Sequence, residues 1–196
     1  MRHKHYVQAF FIYLMLIAIA VTTVYPLVWM CSTSVLEPGA DVGDLRNLLP
    51  RSFCWENYRI VFTQTNFLRA FANSAFITVT VTFGMLFTSS LAAYAFARMR
   101  FRGRDRVFLG YLATLMIPGA VTMIPQFLIL KGLGWLDSYW AVIVPGLFSA
   151  YGTFLLRQFF LSLPRDLEEA ATIDGCGSWG IYRHVILPLS RNALLT

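Results

Sequence analysis

Long apolar runs separated by short polar segments dominate this chain. A helix needs about 20 apolar residues to cross the hydrocarbon core of a bilayer. Four runs reach that length, and we expect membrane-spanning helices at residues 8–30, 70–97, 107–130 and 138–157. A fifth apolar run begins after Pro188, and the sequence ends before that run could cross. The pattern predicts an all-α, polytopic helical membrane protein with four transmembrane helices and the start of a fifth.

The first apolar run has a second interpretation. A basic start at Arg2 and Lys4, followed by apolar residues and Ala18-Ile19-Ala20, resembles a secretory signal with its cleavage site. The apolar core of such a signal is about 7–15 residues long. Here the apolar run continues through Tyr25 and Trp29. We therefore favour an uncleaved first helix.

Composition supports a membrane protein. The chain has 196 residues, of which 57% are hydrophobic and 13% charged, whereas a soluble domain carries about 25% charged residues. The net charge of +6 would suit nucleic acid binding. However, much of the basic charge lies in one short loop between apolar runs, which contains Arg98, Arg100, Arg102, Arg104 and Arg106. This distribution indicates membrane topology, and we expect no nucleic acid partner.

The same arginines define the predicted orientation. Basic residues concentrate in cytoplasmic loops, so both the N-terminus and the 98–106 loop are expected in the cytoplasm. Two spans separate them, so the two assignments agree. Residues 37–69 then lie outside, and residues 157–188 return to the cytoplasm. A voltage sensor is excluded because its arginines recur every third residue, whereas here they recur every second residue and Gly103 interrupts them.

The spans contain features for packing and bending but no charged chemistry. Ser89, Ala93 and Ala97 recur every four residues and predict a stripe for close helix approach. Pro118-Gly119 and Pro125 predict bends within the third span, and Pro145-Gly146 predicts one within the fourth. Up to residue 156, the four apolar runs contain no Asp, Glu, Lys, Arg or His. Ion-coupled carriers usually keep such a group at depth, so this absence disfavours an ion-coupled carrier and favours an energy source outside the membrane domain.

No motif indicates an enzyme or a metal site. Neither GxSxG nor HExxH occurs, and the spans hold no paired aspartates. No GxxxxGK followed by Ser or Thr is present, so this chain is not expected to hold ATP through a P-loop. The cysteines have no metal-ligand spacing with the histidines. A disulfide between Cys31 and Cys54 is one alternative, and we favour free thiols.

The polar loop at 161–188 carries the strongest local pattern. Pro164 suits the first turn of a short helix. Asp166, Glu168 and Glu169 would lie in its early turns, where the helix dipole favours acidic residues. Gly175 supplies a stop. A helix this short needs a partner surface to be stable, and that surface is either its own bundle or another protein.

The same loop resembles the EAA loop of binding-protein-dependent ABC importers. The matching residues are Glu169-Ala170-Ala171, then Gly175, and Leu187-Pro188 after a further eleven residues. The segments LAAYAFARMRFRGRD, ATLMIPGAVTMIP and GTFLLRQFFLSLP are similar to the carbohydrate branch, as in the second permease subunit of maltose-type importers. Val185 and Cys176 depart mildly from the family's preferred Ile and Ala, and Asn192 occupies a common Pro site.

This resemblance implies a single ABC-importer transmembrane domain over residues 1–196, incomplete at its C-terminus because the family has six spans. On that reading the chain is expected not to transport by itself. Loop 161–188 would be the coupling loop, whose helix enters a cleft of an ATPase subunit and moves with it. The implied ATPase-coupling residues are Glu169, Ala170, Ala171, Asp174, Gly175, Leu187 and Pro188. Glu169 would be the polar contact, and Ala170 and Ala171 the closely packed face.

The resemblance also implies the partners and the location. These are P-loop ATPase subunits, a second permease subunit, an extracellular solute-binding protein and the lipid bilayer. The location would be the cytoplasmic (inner) membrane of a bacterium or archaeon, with a cytoplasmic N-terminus. No cofactor is expected on this chain, since ATP would lie on the partner subunit. The substrate would be a sugar or oligosaccharide. The alternative is a membrane scaffold or assembly protein without transport of its own.

Overall fold

The protein is predominantly helical in the part that the computed structural model describes, residues 2–44 and 52–195. No strand occurs in these residues, which confirms the all-α class. The helices are α1 (Arg2–Ser34), α2 (Glu56–Gln64), α3 (Phe67–Arg98), α4 (Arg104–Ala113), α5 (Gly119–Gly132), α6 (Tyr139–Gly146), α7 (Ala150–Ser162), α8 (Asp166–Ile173), α9 (Ser178–Ile181), α10 (Leu187–Leu189) and α11 (Arg191–Leu195).

The chain divides into two compact units, residues 1–72 and 73–196. In the first unit, α2 is tied to the end of α1 by polar contacts. Asn57 Nδ2 donates to the carbonyl oxygens of Ser34 and Leu36, at 3.1 and 2.7 Å. The hydroxyls of Ser34 and Tyr58 lie 2.7 Å apart. Most of α1 is exposed and apolar on every side, which is typical of a helix whose environment is lipid or other membrane helices.

The core of the second unit lies where α3 crosses α7. Ser89, Ala93 and Ala97 of α3 are almost completely buried, which confirms the predicted small-residue stripe. Their short side chains allow a close approach to α7, whose Leu156 and Phe160 are also buried. Residues of α9 and of the π-helical turn that follows it, Tyr182–Ile186, complete this core. The segment after the polar loop is therefore packed directly against the spans.

Two of the three predicted proline sites, Pro118 and Pro145, coincide with a break, whereas Pro125 lies inside the continuous helix α5. The third predicted span consists of Arg104–Met116 and Gly119–Gly132, which meet at 100° across Ile117 and Pro118. Such a pair is either a broken span or a re-entrant loop. Gln8–Ser34, Phe67–Arg98 and Tyr139–Ser162 are long and apolar enough to cross a membrane, so the described residues hold three candidate spans, or four with the bent pair.

The fourth predicted span, residues 138–157, ends on a charged residue, and the structure places this charge inside the helix rather than at its end. Its helix α7 continues to Ser162, so Arg157 lies inside it. The guanidinium stacks over the ring of Phe108 at 4.2 Å from the centroid. Its Nη2 lies 3.8 Å from the Asp105 carboxylate, and its Nε donates to the carbonyl of Phe96 at 3.3 Å. These contacts compensate for removing the charge from water.

Gly146→Ala tests the close approach of α3 and α6. A Cβ at Gly146 would lie 2.8 Å from Cγ1 of Val81, and a valine in a helix is held in one rotamer. We expect a loss of about 1–3 kcal/mol in the free energy of unfolding, as for other overpacked sites. Unfolding in mild detergent measures it. Gly110→Ala in α4 is the control, because a Cβ there meets nothing within 4 Å; equal effects would contradict the prediction.

Candidate functional site

Helix α8 has well-defined ends within the polar loop. Pro164 lies just before the first turn, since the N–H groups of Glu168 and Glu169 donate to the carbonyl of Arg165 at 2.9 and 3.1 Å. Its first turn carries Asp166, Glu168 and Glu169, where acidic side chains complement the helix dipole. The helix therefore begins where the acidic residues predict, with Pro164 outside it.

Gly175 ends the helix by adopting a left-handed conformation, with φ of +84°. The Gly175 N–H donates to the carbonyl of Thr172 at 3.0 Å, and the Cys176 N–H donates to that of Ala171 at 2.9 Å. These are the two hydrogen bonds of a Schellman motif. Ala171 and Cys176 also pack against the core of the second unit, as the residues flanking this motif commonly do.

The two faces of α8 have different partners. Glu168 and Ala171 are half-buried and turn towards the chain's own bundle. The opposite face is exposed and includes Glu169, Ala170 and Ile173, of which Ile173 is 87% exposed, while Leu167 lies at the border between the two faces. This outer face is therefore turned away from the chain's own bundle and combines acidic with apolar side chains.

Arg98 fixes the inner face of α8 to the spans. Its side chain is 3% exposed, and its Nε lies 3.0 Å from Oε1 of Glu168, which is 18% exposed. The Nη2 of Arg98 donates to the carbonyl oxygens of Phe160 and Leu163, the latter at 2.7 Å. One guanidinium thus joins the end of α3, the end of α7 and the start of α8.

Two tyrosines extend this connection along one face of α3. Ser90, Tyr94 and Arg98 are spaced by four residues, so they lie in line. The Tyr94 hydroxyl donates to the carbonyl of Ser178 at 3.0 Å. The hydroxyl of Tyr182 lies 2.7 Å from that of Ser90, and the rings of Tyr94 and Tyr182 are 5.3 Å apart. The whole segment from α8 to the π-helical turn is therefore attached to one helix.

The predicted coupling residues occupy three environments. Glu169, Ala170, Asp174 and Gly175 are exposed at α8 and its end. Ala171 is turned inward, so the structure does not bring it together with Ala170 in one outer face. The reason is that adjacent residues of a helix are about 100° apart around its axis. The last two residues lie in α10, where Leu187 packs against the core and Pro188 is exposed.

Sequence reasoning missed Arg98 and Glu168 as a pair. Arg98 was assigned to the basic loop together with four exposed or partly exposed arginines, and Glu168 was overlooked beside Glu169. The available signal is the four-residue spacing of Ser90, Tyr94 and Arg98, which places them in a second row directly beside the small-residue stripe. Within the described residues, no group of three or more His, Cys, Asp and Glu could hold a metal ion.

Gly175→Ala tests the left-handed end of α8. A Cβ there meets nothing within 4 Å, so only the backbone conformation is strained. We expect a local cost of about 1 kcal/mol, hence roughly fivefold faster amide exchange over the loop. Gly177→Ala is the matched control, since its φ is −75° and its Cβ position is also open. Hydrogen exchange measures both; a larger effect at Gly177 would contradict the assignment.

The fold and the loop define a class, namely multi-span helical membrane proteins that present a short exposed helix after a candidate span. The chain belongs to the family of binding-protein-dependent transport system inner membrane components, whose sequence pattern matches residues 84–196. With its candidate spans, the chain is therefore a multi-pass protein of the inner membrane.

Relatives include permease subunits of several transport systems. The chain is 36% identical to the polygalacturonan/rhamnogalacturonan transport system permease protein YtcP of Bacillus subtilis, over 94% of this chain and 64% of YtcP. It is 32% identical to the galactooligosaccharides permease protein GanQ of the same organism, over 97% and 69%. For the sn-glycerol-3-phosphate permease protein UgpE of Yersinia pestis, identity is 33% over 94% and 68%.

A solved structure shares the fold. The chain superposes on a subunit of a bacterial ABC transporter involved in the import of the acidic polysaccharide alginate, with a TM-score of 0.87 and 28% identity. The match covers 96% of this chain and 67% of the other. The chain spans between 50% and 69% of the length of the curated relatives that it matches.

Proposed function

We propose that this chain is the transmembrane permease subunit of an ATP-driven importer, and that loop 161–188 couples the ATPase to alternating access. The observation that carries the proposal is the arrangement of α8. Its outer face is exposed and partly apolar, while its inner face is held to α3 and α7 through the buried Arg98–Glu168 pair. A force that a bound protein applies to the outer face of α8 would therefore be transmitted to α3 and α7 through the Arg98–Glu168 pair.

The partners follow from this role. P-loop ATPase subunits bind the outer face of α8 and hold the ATP. A second permease subunit completes the pathway, and an extracellular solute-binding protein delivers the substrate. The N-terminus, the 98–106 loop and loop 161–188 lie on the cytoplasmic side, as the distribution of basic residues indicates. The relatives in known transport systems and the alginate-importer fold support these assignments.

The substrate we propose is a sugar or oligosaccharide. YtcP and GanQ are named for oligomeric carbohydrates, and the matching solved structure imports a polysaccharide. UgpE is named for a small phosphorylated polyol instead. Binding of radiolabelled or fluorescent carbohydrates by the assembled importer, compared with glycerol 3-phosphate, distinguishes the two classes.

Co-purification tests the coupling role. The permease is expressed in its full reading frame with its partner subunits and purified from mild detergent. Glu169→Arg with Gly175→Pro is expected to remove the ATPase, because the charge at the contact reverses and proline cannot adopt the φ of +84° at Gly175. Loss of the ATPase at unchanged membrane expression supports the proposal.

A matched variant controls for general damage. Glu37→Arg with Gly39→Pro makes the same two chemical changes in the first unit, where Gly39 also has a positive φ of +89°. This variant is expected to keep the ATPase, since residues 37–69 are assigned to the other side of the membrane. Retention of the ATPase by the α8 variant would overturn the coupling role and favour a scaffold or assembly protein.

A further inference from the structure

A basic concavity lies beside the end of α3, away from the exposed face of α8. It measures about 970 Å³ and is lined by five arginines and one aspartate, a net charge of +4. The loop between α3 and α4 supplies most of the lining, and the start of α8 supplies the rest. The arginines are Arg100, Arg102, Arg104, Arg106 and Arg165.

Most of this charge is not neutralised by the chain. Arg104 pairs with Asp105 at 3.0 Å. The other four arginines make no ion pair within residues 2–44 and 52–195. Asp105, the one acid in the lining, also approaches Arg157. Four guanidinium groups around one open concavity repel each other, and a bound anion would relieve that repulsion. One guanidinium group can donate two parallel N–H hydrogen bonds to the oxygens of one phosphate, so a cluster of arginines suits a phosphate group as its ligand.

An apolar groove begins next to the concavity. It measures about 310 Å³ and is lined almost entirely by apolar atoms, from residues that include Ala92, Phe96, Val107 and Tyr111. Val107 directly follows Arg106 in α4. The ring of Phe96 lies 6.2 Å from that of Phe101, which lines the basic concavity. A single ligand with a charged end and an apolar chain would therefore span both surfaces.

We propose that these two surfaces form a binding site for an anionic phospholipid, with its phosphate in the basic concavity and an acyl chain in the groove. The position supports a lipid over a free phosphate ion. Arg98 is the last residue of a candidate span, so the arginines that follow lie at the membrane surface, where anionic headgroups lie. Because Arg165 adjoins α8, bound lipid would contact the start of the coupling loop. The site itself does not depend on the proposed transport role.

Native mass spectrometry of the delipidated full chain in detergent tests the site. The probes are phosphatidylglycerol, phosphatidylcholine, water-soluble dihexanoyl phosphatidylglycerol and inorganic phosphate. We expect phosphatidylglycerol to bind at least about tenfold more tightly than phosphatidylcholine. Each of Arg102→Gln, Arg106→Gln and Arg165→Gln should weaken phosphatidylglycerol binding by about fivefold. Arg183→Gln, an exposed arginine that does not line the concavity, should leave binding unchanged.

The groove has its own variant. Ala92→Phe narrows the apolar groove without changing the charge, and should weaken long-chain phosphatidylglycerol while sparing the dihexanoyl lipid. Equal affinity for the anionic and zwitterionic lipids would overturn the proposal. So would arginine variants that behave like Arg183→Gln. If inorganic phosphate competes as well as phosphatidylglycerol and Ala92→Phe has no effect, the site is a phosphate site and the lipid assignment is wrong.

Discussion

Replacing Arg98 by methionine is expected to lower the free energy of unfolding by about 3–5 kcal/mol, the range for breaking one side of a buried ion pair. Methionine keeps much of the side-chain volume but removes the charge and every donor. Glu168 would lose its counter-charge at an oxygen that makes no hydrogen bond of its own. The carbonyls of Phe160 and Leu163 would lose the donor that Arg98 supplies. Denaturant unfolding of the purified permease in detergent measures the loss.

Three variants separate the pair from general damage. Arg100→Met makes the same change at an exposed position two residues away and should cost less than about 0.5 kcal/mol. Adding Glu168→Met to Arg98→Met should recover part of the loss, because no buried charge is then left alone. The double-mutant cycle gives the coupling energy directly. If Arg98→Met and Arg100→Met destabilise the protein equally, the pair does not hold α8.

Side-chain pattern was enough to predict the helices and the position of their breaks. The apolar runs identify α1, α3 and α7 because every side of a membrane-spanning helix meets an apolar environment. Pro118 and Pro145 lie at breaks, each directly before a glycine, whereas Pro26 and Pro125 lie inside continuous helices, so a proline alone does not identify a break. The buried small-residue stripe of α3 was also predictable, since four-residue spacing places side chains in line on any α-helix.

Pattern could not distinguish Arg98 from its neighbours. The five arginines of the loop occur at every second position, so their spacing does not set Arg98 apart. The sequence also does not determine whether α3 ends before or after Arg98. What separates them is contact with α7 and α8, whose residues lie about 60–70 positions away in sequence. The four-residue spacing places Arg98 beside the buried stripe of α3, but its burial depends on where three helix ends meet, and the pattern of one sequence does not specify that meeting point.

The orientation of α8 was similarly beyond the sequence. In the sequence, Leu167, Ala170 and Ala171 have the spacing of a short apolar stripe. Such a stripe could pack against the chain's own bundle or against an ATPase, so the spacing does not fix which way the helix faces. The salt bridge at Glu168 and the packing of Ala171 and Cys176 fix the rotation of the helix about its axis. Ile173 then lies outward, although the short stripe alone does not include it. The exposed face of α8 is therefore rotated about the helix axis by about 100°, the angle of one residue, from the face on which the apolar stripe lies.

Under the proposed coupling role, this exposed position makes Ile173 the residue of α8 whose substitution we expect to weaken ATPase binding most. Ile173 is 87% exposed, so Ile173→Asp should change the permease's own unfolding by less than about 0.5 kcal/mol. Burying an unpaired carboxylate against the ATPase would remove an apolar anchor and add a desolvation cost, and we expect affinity to fall at least about 30-fold. Titration of purified ATPase against the permease in nanodiscs measures the affinity. Ile173→Leu should retain most of the affinity for the ATPase. This control shows whether the loss in Ile173→Asp comes from removing an apolar contact or from any substitution at residue 173. If Ile173→Asp binds the ATPase like the unmodified chain while Glu169→Arg with Gly175→Pro does not, the contact lies on the acidic edge of α8 rather than on its apolar face.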